Sequence, residues 1–159
     1  MTVPIKVDIC VIGAGSGGLI VAAGASQLGV DVALVERHLM GGDCLNFGCV
    51  PSKALLAAGK AAHNIKTAGR FGISGGPLRV DTVAVRQHVR DVIAGIAPHD
   101  SVERFQALGV NVIKGAARFT GPREIEVEGQ KITSRRFVIA TGPSPMIPPI
   151  SGIDAIAFL

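Results

Sequence analysis

"KVDICVIGAGSGGLIVAAGASQLGVDVALVE", residues 6–36, decides the fold of this chain. It opens on a short apolar run, 6–12, with the length and composition of a buried strand. Gly13, Gly15 and Gly18 then complete G-x-G-x-x-G, with Gly17 beside the last of them. Small and apolar residues from 19 to 28 suit a helix packed tightly on a sheet, and Gly29 follows as its C-terminal signal. "DVALVE", 31–36, is a second buried strand. Strand, glycine turn, helix and strand in this order make a βαβ unit, right-handed by the general rule for parallel crossovers.

Placed between a strand and a helix, the glycine pattern carries a chemical meaning. The first glycine permits the tight turn, the second lets a pyrophosphate approach the backbone, and the third lets helix and strand pack closely. The helix N-terminus offers free N–H groups and partial positive charge to phosphates. Glu36 ends the second strand, where a carboxylate can accept hydrogen bonds from ribose hydroxyls. That favours a dinucleotide with a free 2′-hydroxyl, without choosing between FAD and NAD. The competing reading is a structural turn followed by a surface glutamate. A membrane span competes too, because no charge falls between Asp8 and Asp31. The six glycines in that interval speak against it, since each costs a helix interior about 1 kcal/mol relative to alanine.

Outward from this unit, a helical stretch covers 46–67 with Pro51 in an early turn, and "GRFGISGGPL" is a loop. Asp81 can cap a helix over 82–96, with Val83, Val85, Val89, Val92, Ile93 and Ile96 supplying most of its apolar stripe. Pro98 interrupts it, and the chain resumes helically through "HDSVERFQAL" before "VNVIKG" returns to the sheet. Residues 116–142 alternate like a small antiparallel ribbon and end in an apolar strand over 136–141. The expected fold is α/β: a Rossmann-like domain with a parallel sheet, helices on its faces and a small antiparallel β-ribbon. Residues 1–142 form that domain, and the proline-rich 143–159 reads as a linker.

The bulk properties agree. The 159 residues suffice for one domain with a real core, and 48% apolar with 18% charged residues exclude a disordered or fibrous chain. Net charge is +4, but the Lys and Arg residues are scattered, with no basic run and no interleaved aromatics. A nucleic-acid partner is therefore not expected. Three cysteines and no recognisable signal segment point to a reducing cytoplasm and no membrane.

Two of those cysteines fall in "GGDCLNFGCVPSKALL", 41–56. Zinc asks for four ligands, and His38, His63, His88 and His99 show no ligand spacing to the pair, so no metal is expected. A bridge closing so short a loop would add only about 2 kcal/mol, which a core of this size hardly needs. Redox chemistry is the better reading. Gly41, Gly42 and Gly48 let the segment bend, and free N–H groups near a helix start, with Lys53 one turn after Cys49, favour a thiolate. Cys10 lies in the buried first strand and reads as a core residue. A dithiol beside a dinucleotide suggests a two-electron path, for which FAD is the better partner because it exchanges electrons with both nicotinamide and sulfur.

The cysteine segment resembles the redox-active segment of the FAD-dependent pyridine nucleotide–disulfide oxidoreductases. Its phrasing, with "IAPHDSVERFQALGV", is most similar to the mercuric-reductase-like and dihydrolipoamide-dehydrogenase-like members. "VIGAGSGG", "ALVE" and "VIATGPSPMIPPISG" fall in family order. The resemblance implies that Cys44 is the interchange thiol and Cys49 the thiol against the flavin, with Lys53 near the flavin ring. It implies that Gly13, Gly15, Gly17, Gly18, Glu36 and Arg37 hold the ADP half of FAD, helped by Gly42 and Asp43. Ala117 would offer backbone contacts to the adenine side, and Ala140, Thr141 and Gly142 would close over the cofactor. Asp43 stands where many members carry threonine, and Pro143 follows "ATG" where serine or alanine is commoner.

Family members continue into an NAD(P)-binding domain and a dimerisation domain, and no second G-x-G-x-x-G occurs here. The chain is thus expected to be the N-terminal portion of an enzyme passing electrons from NAD(P)H to FAD, to Cys44–Cys49, and to a small-molecule disulfide or mercuric substrate. The whole enzyme would be a homodimer, and the portion alone would lack turnover. The alternative is a non-enzymatic nucleotide-binding or interaction protein with the same fold, in which serine at Cys44 or Cys49 would leave function intact.

Overall fold

A computed structural model of the protein describes residues 3–144 and 146–155. The first strand, β1, runs Ile5–Ile12, the helix α1 Ser16–Gln27 and β2 Val32–Glu36. Two helices follow, α2 over Gly42–Asn46 and α3 over Cys49–Thr67; α4 spans Thr82–Ile96 and α5 Val102–Ala107. The chain then gives β3 (Asn111–Lys114), β4 (Ala117–Gly121), β5 (Glu124–Val127) and β6 (Gln130–Ile139).

All six strands join one sheet in the order β3-β2-β1-β6-β5-β4. From β3 through β6 the neighbours are parallel, and β4, β5 and β6 pair antiparallel. The ribbon and the apolar strand after it are therefore not successive elements. Their last stretch is one ten-residue strand that pairs with β1 from Ile5↔Ile132 to Ile12↔Ile139 while its first part pairs with β5. Sequence alternation marked the ribbon's half of β6 and the apolar run marked the other, so the two read as separate. At the β5–β6 turn, Glu128 and Gly129 both have positive φ, 48° and 79°, as a two-residue hairpin with the right twist requires.

Every residue of β2 is buried, as befits a strand covered on both faces. Successive residues of β1 point to opposite sides. Val11 and Leu34 pack with Leu19 and Ala22 of α1 and Phe105 of α5, while Cys10, Ala33 and Val35 pack with Ile125, Val127 and Ile132 of the antiparallel half. One sheet face is thus covered by helices and the other is closed by the ribbon's own side chains. The longer helices α3 and α4 pack against each other and bury one residue each, Ala54 and Val89. Asp81 caps α4 as its position predicts, accepting from the Val83 and Ala84 N–H groups at 2.9 and 3.1 Å. After α4 a 3-10 turn over Ala97–Asp100 absorbs Pro98, and Ser101 caps α5.

Beyond Ile139 the described chain carries no strand or helix until a short 3-10 turn, Ile153–Ala155. No helix among the described residues is long and apolar enough to cross a membrane.

Candidate functional site

Gly13 ends β1 with φ +107°, a conformation closed to most side chains. A Cβ there would meet the Ala140 carbonyl oxygen at 2.2 Å, so the turn after β1 lies directly against the end of β6. Gly18 sits one turn into α1, and a Cβ there would strike the Gly13 oxygen at 1.8 Å. Its role is the close seating of helix on strand, below the cleft rather than in it. The helix begins at Ser16, three residues before its apolar run, because Gly15, Gly17 and Gly18 form its cap and first turn.

That first turn has no side-chain cap and no acidic residue. The N–H groups of Ser16, Gly17 and Gly18 are thus left for an anion, with the positive end of the helix dipole behind them. A Cβ at Gly17 would meet nothing within 4 Å, so this face is open. The donor set and the space suit a pyrophosphate.

Glu36, 8% exposed, holds the turn from the other strand. Its carboxylate accepts from the Ala14 N–H and the His38 N–H, each at 2.6 Å. Two oxygens with about four lone-pair positions leave room for hydroxyl donors as well.

The segment before the cysteines presses on the same turn. Gly41 pairs with Gly15 in an isolated parallel bridge and its N–H donates to the Ala14 oxygen at 2.9 Å. A Cβ on Gly42 would lie 2.6 Å from the Gly15 Cα. These glycines do more than let the segment bend: they allow two backbones to touch, setting α2 against the glycine turn. Asn46 fastens α2 in place, donating from Nδ2 to the Met40 and Gly42 oxygens at 3.0 and 2.8 Å.

The helical stretch expected over 46–67 begins only at Cys49, and a separate short helix, α2, ends at Asn46 before it. Phe47 and Gly48 break them, with the Phe47 and Gly48 N–H groups closing on the Asp43 oxygen at 2.9 and 2.6 Å. Cys44 lies in α2 and Cys49 is the first residue of α3. The break brings the sulfurs together: the Cys44 thiol donates a hydrogen bond to Cys49. All three cysteines are free thiols, with Cys10 buried, Cys44 half-buried and Cys49 exposed.

That hydrogen bond is the main cause raising the Cys44 thiol above its ordinary range; burial and the charges of Cys49 and Asp100 add to it. The Cys49 backbone N–H pulls the other way, as a helix start should. At Cys44 the helix-terminus effect expected from sequence is present but outweighed.

One cleft of about 650 Å³ joins these parts. Its walls include Gly13, Gly15 and Gly17 from the turn, Glu36 and Arg37 from the end of β2, and Gly42, Asp43 and Cys44 from α2. Ala140, Thr141 and Gly142 close the side after β6. Ala117 lines a smaller adjoining cleft of about 320 Å³, which shares Glu36, Arg37 and Gly142 with the larger one. Gly18, Cys49 and Lys53 lie outside both clefts, and Lys53 is exposed on α3. Sequence reasoning missed Ser16, Leu39, Phe47 and Ser144, which also line the larger cleft. Each lies within two positions of a residue it did select, which is the signal that could have found them. Among the described residues no three His, Cys, Asp or Glu side chains gather as a metal site.

The chain is 34% identical over 152 residues to a mercuric reductase of Lysinibacillus sphaericus, covering 96% of this chain and 28% of that protein. It is 40% identical over 151 residues to a dihydrolipoyl dehydrogenase of Thermus scotoductus, covering 91% and 31%. It therefore spans less than a third of the length of either relative. A cysteine-to-serine variant of the HOCl-induced flavoprotein disulfide reductase RclA from Escherichia coli, in its Cu(II) complex, shares the fold. Its TM-score is 0.75 at 24% identity, over 95% of this chain and 32% of that one. The sequence profile described as pyridine nucleotide-disulphide oxidoreductase matches residues 7–159, so the chain belongs to that family, whose members use FAD and NAD(P)H.

Proposed function

We propose that this chain is the FAD-binding, dithiol-bearing portion of an NAD(P)H-dependent flavoprotein disulfide oxidoreductase acting on a small-molecule disulfide or a mercuric substrate. The observation that carries this reading is the single cleft that joins the uncapped start of α1 to Cys44. FAD supplies the two-electron chemistry that connects nicotinamide hydride to sulfur.

This chain's residues have the following roles. The N–H groups of Ser16 and Gly17 hold the pyrophosphate, and Glu36 accepts from the ribose hydroxyls. Arg37 and Ala117 flank the adenine side, Gly42 and Asp43 face the middle of the cofactor, and Ala140, Thr141 and Gly142 cover it. Lys53 is assigned near the flavin by resemblance alone, since it stands outside the cleft. Cys44 and Cys49 cycle between a disulfide and two thiols, taking up two electrons and two protons. With a disulfide substrate, the Cys44 sulfur attacks one substrate sulfur and the first thiol leaves. Cys49 then attacks the Cys44 sulfur, which releases the second thiol and restores the bond, and the two cysteine protons go to the departing thiols.

In the whole protein the NAD(P)H site and a homodimer contact would come from sequence outside this chain. The test is the visible spectrum of the purified chain after FAD addition and desalting. Retained flavin bands support the reading; a colourless protein with folded far-UV signal would sink the cofactor assignment.

A further inference from the structure

"IAPHDSVERFQALGV" carries a family resemblance, yet the proposed function gives it no role. The structure shows where it goes. Pro98 ends α4 in the 97–100 turn, and Ser101 starts α5 with its side chain accepting from the Arg104 N–H at 3.2 Å. Between them, Asp100 is held half-buried and aimed back at the cysteine segment. Its Oδ2 lies 3.0 Å from the position a Cβ would occupy on Gly41, the residue that caps α2. Among the described residues Asp100 forms no ion pair, so no cation neutralises it there.

From this placement we infer that Asp100 is a positioning residue of the dithiol. Its carboxylate sets a negative charge beside α2 that disfavours ionisation of Cys44. The inference rests on Cys44 and Cys49 being the redox pair.

The groups around α2 are consistent with such a role. α3 contributes Cys49, which receives the Cys44 hydrogen bond, and the exposed Lys53. α4 turns Val89, Val92 and Ile93 inward and carries Arg86, His88, Arg90 and Asp91 on its exposed side. The 97–100 turn contributes exposed His99 and half-buried Asp100, and α2 itself carries Asp43 in its first turn. Of these, Cys49 and Asp100 are the two whose charges act on the Cys44 thiol, both disfavouring its ionisation. Removing the Asp100 charge should therefore make Cys44 easier to ionise, with the Cys49 contact unchanged.

The test is the pH profile of iodoacetamide alkylation of Cys44, followed by peptide mass, in a Cys49→Ser background with and without Asp100→Asn. Serine removes the competing thiol, and asparagine keeps the size of the side chain. Matched far-UV signal and melting temperature establish that both proteins are folded. The expected result is a lower alkylation midpoint in the Asp100→Asn protein and alkylation near neutral pH about threefold faster. Superimposable profiles from two folded proteins would overturn the inference. Should Asp100→Asn not fold, the Cys49→Ser protein is compared at low salt and at about 1 M salt, where charges are screened within about 3 Å. A midpoint that falls with salt supports the charge role, and one that stays put overturns it. FAD retention measured on the same samples reports separately on the proposed function, because alkylation requires no cofactor.

Discussion

Gly13, Gly42 and Gly17 lack side chains for different reasons, and substitution separates them. Alanine at Gly13 would combine a φ of +107° with a 2.2 Å approach to a backbone oxygen that cannot yield. At Gly42 it would meet φ +55° and the Gly15 Cα at 2.6 Å. Each should cost about 3 kcal/mol in urea unfolding. Gly17→Ala meets open space and should hold or slightly raise stability, since alanine favours a helix by about 1 kcal/mol. If phosphates dock at this turn, the same variant should retain less flavin after desalting. A stable Gly17→Ala protein with undiminished flavin would show that the turn does not hold the cofactor. Cys10 offers a pH test at the same scale. Burial pushes its thiol up from 9.0 to about 12, so the folded state keeps a proton that the unfolded chain releases. Its stabilising contribution is complete below about pH 9 and is lost as pH rises toward 12. Cys10→Ala should flatten that alkaline decline in stability, and Cys10 in the native protein should resist alkylation that labels Cys49.

The contrast between α1 and α4 shows at the scale of elements how a helix start is used. α4 has an acidic cap on its first turn and α1 has none. Asp81→Ala should cost about 1 kcal/mol, a melting shift of about 2–4 °C, and leave flavin binding alone. The empty cap of α1 is the expected mark of a terminus kept for a ligand. The α2–α3 break is the second element of consequence. A Cβ on Gly48 would lie 3.0 Å from the Asp43 oxygen, so alanine there presses on the junction between the cysteines. Gly48→Ala should slow re-formation of the Cys44–Cys49 disulfide after reduction by about tenfold. An unchanged rate would mean that the pairing does not depend on this junction. Sequence reading found α3 but began it at Asn46 and missed α2, because a five-residue helix opening on glycine has too little pattern to read. The α4 cap was legible because an aspartate directly before an apolar stripe has one common use.

Over the whole molecule, the cleft draws on three stretches far apart in sequence: the turn after β1, the end of β2 together with α2, and the residues after β6. A chain covering under a third of those two relatives, with one G-x-G-x-x-G turn, is expected to oxidise no NAD(P)H by itself, even with FAD added. Steady NAD(P)H consumption by the purified 159 residues would contradict that. Residues 6–36 determined the βαβ unit from sequence alone, because strand length, glycine spacing and the buried second strand are local properties. The cysteine segment stood out in the same way, by residue type and spacing. Three things came only from tertiary structure: β6 as one strand shared between ribbon and parallel sheet, the contact of Gly42 with Gly15, and Asp100 beside α2. Each depends on where a distant backbone comes to rest, and period and composition report which way a residue faces but not what it will face.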